Sequence, residues 1–212
     1  MLTVLCFGDS NTWGCVPLVA FGQTRRFAPE VRWPGVLRRE LGDGYAVVEE
    51  GLNGRTTVFD DPIEPYRNGR DYLVPCLLTH QPVDLVVLML GTNDLKHRFG
   101  VGSGDIAAGA GRLVQLIARS QAGVDGRAPQ VLLVAPPPLG RLTLLADEFD
   151  GATPKSQRLA ASYAQVAADL GCAFLDAGSI IRSSDVDGVH LDGEEHEKLG
   201  MAVAARVREL LR

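Results

Sequence analysis

The chain has no Cys-x-x-Cys, no Gly-x-Ser-x-Gly, no block of basic residues and no long apolar run, and each absence removes a class of protein. Its four cysteines, at 6, 15, 76 and 172, are widely separated, and Cys6 falls inside an apolar run. That pattern fits reduced thiols in a cytoplasmic protein better than a disulfide framework or a zinc site. Without Gly-x-Ser-x-Gly, the nucleophile elbow of the α/β-hydrolases is not available as a template. A formal charge of -5 with scattered Lys and Arg leaves no cationic stripe for nucleic acid. No stretch approaches the roughly 18 apolar residues that a membrane span needs. The first apolar run starts at Leu2 with no basic and apolar leader before it, so the encoded N-terminus is expected to be the mature one. Repeats, linkers and low-complexity segments are also missing.

What is present is a chain of 212 residues, 46% hydrophobic, enough for one well-buried core and too short to require two. A single domain over 1–212 is expected. Leu2-Thr3-Val4-Leu5-Cys6-Phe7 is β-prone and stops at Gly8-Asp9-Ser10. Further strands are expected at 45–50, at 83–90, at 131–135 and at 172–176. The third is apolar on both faces, as only a central strand covered on both sides needs to be. Helical spacing marks 31–41, 70–80, 103–120, 153–170 and 193–211. Thr153-Pro154 reads as an N-cap with proline at the first helical position, and Asp192 with Glu195 as a capping pair. Strands alternating with helices predict a three-layer, flavodoxin-like α/β sandwich around a five-stranded parallel sheet, order 2-1-3-4-5.

On that fold the polar punctuation collects at one place. Ser10 follows the first strand, Gly54 the second, Asn93 the third, and Asp187 with His190 the fifth, all at the carboxyl edge where open α/β sheets bind ligands. Each residue taken alone is also a good turn former. Their complementary chemistry argues for a site: a serine nucleophile, a histidine base, and an aspartate three residues before the histidine that can reach its Nδ1. The N–H groups of Ser10 and Gly54 and the amide of Asn93 are candidate donors to an oxyanion. Of the other histidines, His80 reads as a helix-end residue, His196 as lying within the last helix, and His97 as a possible neighbour of the site. Asp185 and Asp192 compete with Asp187 as the orienting carboxylate. Asn11, Trp13, Cys15, Thr92, Lys96 and Val189 flank these positions and are expected to line the substrate pocket. No metal or organic cofactor is called for.

The set Gly8-Asp9-Ser10, Gly54, Gly91-x-Asn93-Asp94 and Asp187-x-x-His190 resembles the SGNH, or GDSL-type, hydrolases. The resemblance implies Ser10 as nucleophile, Gly54 and Asn93 as oxyanion donors, and Asp187 and His190 as the rest of a triad. Arg26 to Trp33, Glu49 to Leu52, Arg55-Thr56-Thr57 and Asp60-Asp61-Pro62 extend it to the bacterial aryl esterase and acyltransferase subgroup of mycobacterial type. That subgroup is oligomeric, typically octameric, and favours short acyl groups. Two positions depart from it: Asn53 stands where serine is expected, and Cys15 where a bulky aromatic is. The implied activity is hydrolysis of short-chain or aryl esters through an acyl-enzyme, with acyl transfer to alcohols, and perhydrolysis as a further outlet. A carbohydrate O-deacetylase or a thioesterase would use the same triad. A flavodoxin-like nucleotide-binding module is the alternative from another class, but Gly100-x-Gly102-x-Gly104 has the wrong spacing for a phosphate loop and follows no strand. Apolar side chains in the segments 12–30 and 139–151 exceed what one sheet edge can cover, which predicts a homo-oligomer larger than a dimer.

Overall fold

A computed structural model describes residues 1–212. One parallel sheet holds β1 (Leu2–Gly8), β2 (Tyr45–Gly51), β3 (Leu85–Met89), β4 (Gln130–Ala135) and β5 (Ala173–Asp176) in the order β2-β1-β3-β4-β5. In register, Val4 of β1 sits between Val47 and Leu85. The two-residue period of β1 sorts its side chains between two cores. Leu5 and Phe7 join Val86, Leu88 and Leu133 on one face, and Val4 and Cys6 join Val87, Met89 and Leu132 on the other.

Helices cover both faces. α2 (Trp33–Leu41) and α7 (Gly193–Leu210) pack together over one of them, through Trp33, Leu37, Leu199 and Val203. α3 (Gly69–His80), α4 (Ser103–Arg119) and α6 (Leu159–Leu170) lie over the other, through Leu73, Leu77, Ile106, Leu113 and Tyr163. Every residue of β3 is buried, because it is the middle strand of the sheet, with β1 on one side, β4 on the other and helices above and below. Each such Leu or Val contributes roughly 1.5–3 kcal/mol of burial. This core holds the strand ends, and with them the site, in fixed positions. Two single-turn helices complete the set, α1 (Ser10–Trp13) and α5 (Thr153–Ser156).

Two expected helix starts are built differently. The segment 153–170 breaks after Ser156 and restarts at Leu159, and Thr153 is the first helical residue, with Ala152 in the capping position. Its hydroxyl therefore caps nothing. Asp192 does precede α7, but its carboxylate accepts the Ser184 hydroxyl at 3.0 Å, and Glu195 accepts the Arg182 N–H at 3.0 Å. Partners from the preceding loop outcompete the local capping pair. The apolar surplus expected in 139–151 is also absent, since Leu139, Leu145 and Phe149 are buried in the core. In the segment 12–30, Val19 and Phe21 are exposed.

Candidate active site

β1 ends at Gly8 because the chain turns there into α1. A Cβ at Gly8 would lie 2.0 Å from Thr12 Oγ1, so only glycine permits that turn. Asp9 caps the turn, its Oδ1 accepting the Asn11 N–H at 3.0 Å. Burial pushes the Asp9 carboxyl up to about 6, against the lowering effect of that N–H and of the His190 charge. Ser10 is thereby held at the carboxyl edge of β1, buried yet lining a cleft of about 210 Å³.

The turn after β2 places Gly54 in the left-handed region, φ +77°, a conformation that favours glycine. The backbone N–H groups of Ser10 and Gly54 donate to no acceptor in the protein. After β3, Asn93 joins the same cleft and donates from Nδ2 to the Arg55 carbonyl at 3.1 Å. Its neighbour Asp94 turns inward, its Oδ1 accepting the Thr57 N–H at 3.0 Å and the Thr57 hydroxyl at 2.5 Å. Burial raises Asp94 to about 6 while those bonds pull it down. The loops after β2 and β3 are thus fastened to each other by side-chain-to-backbone bonds.

His190 arrives from the loop before α7. Its Nδ1 lies 2.6 Å from Asp187 Oδ2, and Asp187 is fully buried. The carboxylate also accepts the N–H groups of Leu18 at 2.7 Å, Val189 at 2.9 Å and His190 at 2.9 Å. Burial alone would raise Asp187, but the His190 bond and charge and these N–H donors hold it down at about 2. Burial likewise disfavours a charged His190, and the Asp187 bond with the adjacent Cys15 thiol more than offsets it, raising the imidazole to about 9. Asp185 is exposed and Asp192 is engaged by Ser184, so neither serves His190. Ser10 and His190 share the cleft without a direct side-chain hydrogen bond between them.

Of the expected pocket residues, Cys15, Lys96 and Val189 line the cleft. Asn11, Trp13 and Thr92 do not. Asn11 is buried beneath it, donating to the Val189 carbonyl at 3.2 Å, and Thr92 is buried as well. Trp13, half-buried at the end of α1, faces the Arg26 guanidinium, 4.8 Å from its ring. His97 is exposed and outside the cleft. The cleft also draws on Asn53, one of the two departures from the resembling subgroup, and on Leu18, Phe21, Thr24, Leu145 and Phe149, which were not among the expected pocket residues.

Lys96 was expected at the pocket, but the carboxylates that pair with it were not. Lys96 Nζ lies 3.2 Å from Glu64 and 3.4 Å from Glu148, and Arg98 ties Glu64 to Asp61. A larger cavity of about 680 Å³ lies along the 50–55 segment and 60–72, but it contains none of Ser10, Asn93 or His190. The smaller cleft is the one that gathers the candidate residues Ser10, Gly54, Asn93 and His190. No helix is long and apolar enough to cross a membrane.

Residues 6–198 match the model of the GDSL-like Lipase/Acylhydrolase family. The M. smegmatis aryl esterase superposes with a TM-score of 0.95 at 46% identity, covering 99% of this chain and 100% of that one. A carbohydrate acetylesterase from Sinorhizobium meliloti superposes with a TM-score of 0.95 at 42% identity, again over 99% and 100%. In sequence, the acetylxylan esterase of Xylanibacter ruminicola is 25% identical over 225 residues, spanning 98% of this chain. The chain corresponds to 43% of that relative's length.

Proposed function

Because the chain belongs to the GDSL-like lipase/acylhydrolase family, we propose that it is a serine esterase of short-chain or aryl esters, working through an acyl-enzyme on Ser10. The observation that carries this reading is the 2.6 Å Asp187–His190 pair in the cleft that Ser10 lines. In the proposed sequence, substrate binding or rotation of the Ser10 side chain brings Oγ onto His190 Nε2, since such bonds often tighten only in the substrate complex. Oγ attacks the ester carbonyl carbon and its proton passes to Nε2. Asp187 holds the tautomer and stabilises the imidazolium without taking the proton. The unpartnered N–H groups of Ser10 and Gly54 and the free amide hydrogen of Asn93 receive the oxyanion. Collapse expels the alcohol with the proton from His190, and water or a second alcohol then releases the acyl group by the reverse route.

A cleft of about 210 Å³ is below the usual size of small-molecule pockets, which supports a short acyl group. Its apolar walls, Leu18, Phe21, Leu145 and Phe149, favour an alcohol over water as acceptor, and hence acyl transfer. With a short ester and added benzyl alcohol, transester is expected to form faster than free acid; predominance of acid at high alcohol concentration would remove the transferase reading. The polar rim of Glu64, Lys96 and Glu148 favours a second reading, removal of acetyl groups from carbohydrate. A panel of aryl acetates and acetylated sugars separates the two.

Exposed Val19 and Phe21, beside the cleft mouth, support a homo-oligomer larger than a dimer, an octamer by analogy with the resembling subgroup. A monomer by light scattering at micromolar concentration excludes it. Four unpaired thiols are in keeping with a reducing, cytoplasmic setting. The decisive experiment is labelling by a fluorophosphonate with peptide mapping: the adduct is expected on Ser10, and an adduct on Cys15 or another serine overturns the assignment.

A further inference from the structure

Away from the cleft, the stripe Tyr72, Cys76 and His80 runs down one face of α3 at four-residue spacing and meets Glu50 of β2. The Glu50 carboxylate is the hub. It lies 2.8 Å from His80 Nε2, and its charge bears on the Cys76 thiol and the Tyr72 hydroxyl, raising both. Cys76 is almost fully buried, and burial, then the Glu50 charge, push its thiol up to about 12. One atom each from Glu50, Cys76 and His80 lies within 4.8 Å of the others.

We propose that Glu50, Cys76 and His80 form a binding site for a zinc-class divalent cation. The donor set decides the class: a thiolate and an imidazole with one carboxylate suit borderline-soft Zn²⁺ or Co²⁺, not Mg²⁺ or Ca²⁺, which take oxygen ligands. Two ligands four residues apart on a helix face one metal, as in other helical zinc sites. Bond lengths near 2.0–2.3 Å put tetrahedral ligand atoms roughly 3.3–3.8 Å apart, so the widest separation must close by about 1 Å while the 2.8 Å Glu50–His80 pair opens slightly. The half-buried Glu50 and His80 side chains have the freedom to do so.

Glu50 and Tyr72 also line the cavity of about 680 Å³, which gives an ion a way in and leaves its fourth position to water. On binding, the Cys76 S–H bond breaks, the sulfur–metal bond forms and the proton leaves to solvent. The proton that His80 Nε2 shares with Glu50 moves through solvent to Nδ1, so that the neutral ring turns a free Nε2, and Glu50 a free oxygen, to the metal; the net release is the one thiol proton, and nothing is oxidised or reduced. The bound ion ties the end of edge strand β2 to the last turn of α3. Sequence spacing hid this site, because its third ligand lies 26 residues before Cys76 on another element.

The test is a CoCl₂ titration of the full-length protein after chelator treatment, followed in the near ultraviolet for a thiolate-to-cobalt charge-transfer band. One Co²⁺ per chain is expected, displaced by Zn²⁺, with one proton released. Cys76→Ser should abolish the band. Glu50→Gln and His80→Ala, which leave the buried thiol in place, should weaken binding at least roughly tenfold, while Cys172→Ser should bind as the unmodified chain does. Far-ultraviolet circular dichroism checks that each variant folds. No band in the unmodified chain, a band that survives Cys76→Ser, or unchanged affinity in both Glu50→Gln and His80→Ala overturns the proposal.

Discussion

His190 and His196 are six residues apart, both buried, and respond to protons in opposite ways. His190, at the carboxyl edge of the sheet, is raised to about 9 because Asp187 and Cys15 outweigh its burial. His196, under α2, is lowered to about 4 by burial first and then by the charges of His190 and Arg32. Its Nδ1 accepts the Trp33 N–H at 3.3 Å, its ring meets Phe27 edge-on at 5.3 Å, and its Nε2 has no partner. The lesson is that burial lowers a histidine only where no carboxylate meets the ring; with Asp187 on Nδ1 the same burial is outweighed and the sign reverses.

The strongest way to break the contrast is Asp187→Asn. Without the carboxylate, His190 becomes a buried imidazole like His196, so kcat is expected to fall by up to about 10⁴-fold. The alkaline-shifted limb of the pH–rate profile should move down with it. In the unmodified enzyme the base must be neutral, so activity should rise with pH toward about 9; a limb near the ordinary imidazole value of 6.5 would contradict the assigned environment. Asn93→Ala leaves both histidines untouched and removes one of the proposed oxyanion donors. It should cost roughly 10²- to 10³-fold in kcat with little change in KM; a loss confined to KM would make Asn93 a substrate-binding residue instead.

Stability sharpens the contrast from the other side. His196 has its folded value below the unfolded one, so its stabilisation is present above about 6.5 and lost as pH falls through about 4. The shift corresponds to roughly 3 kcal/mol. His190 has the opposite sign, its contribution being present below 6.5 and lost as pH rises through about 9. His196→Phe is therefore expected to lower stability at neutral pH by about 1–3 kcal/mol, through the orphaned Trp33 N–H. It should also flatten the acid limb of denaturation and leave esterase turnover within about twofold. A steep acid limb that persists would shift the cause to other groups. The smallest effect belongs to exposed His97, where His97→Ala should stay within about 0.5 kcal/mol and leave the pH–rate profile unchanged.

The parts of the molecule legible in the sequence were those governed by local periodicity. β3 announces itself by being apolar on both faces, and Ser10, Gly54 and Asn93 by ending strands. The rest depended on partners remote in the chain. Glu64, Lys96 and Glu148 come from three segments that nothing local links, so the charged rim left no pattern. Asp192 and Glu195 had the right spacing for a cap and were drawn off by Ser184 and Arg182. Trp13 and Thr92 adjoin candidate site residues in sequence, yet Trp13 goes to Arg26 and Thr92 is buried away from the cleft. Adjacency along a loop does not tell which way a side chain points.

One hydrogen bond ties tuning to selectivity. Leu18 lends its N–H to Asp187 and its side chain to the cleft wall. On the proposed mechanism, the segment that walls the acyl cleft therefore also helps set the basicity of the histidine that would activate Ser10. Remodelling of residues 16–24 to admit larger esters will drag the working pH of the enzyme along with it, so substrate range and pH optimum cannot be bred independently in this scaffold.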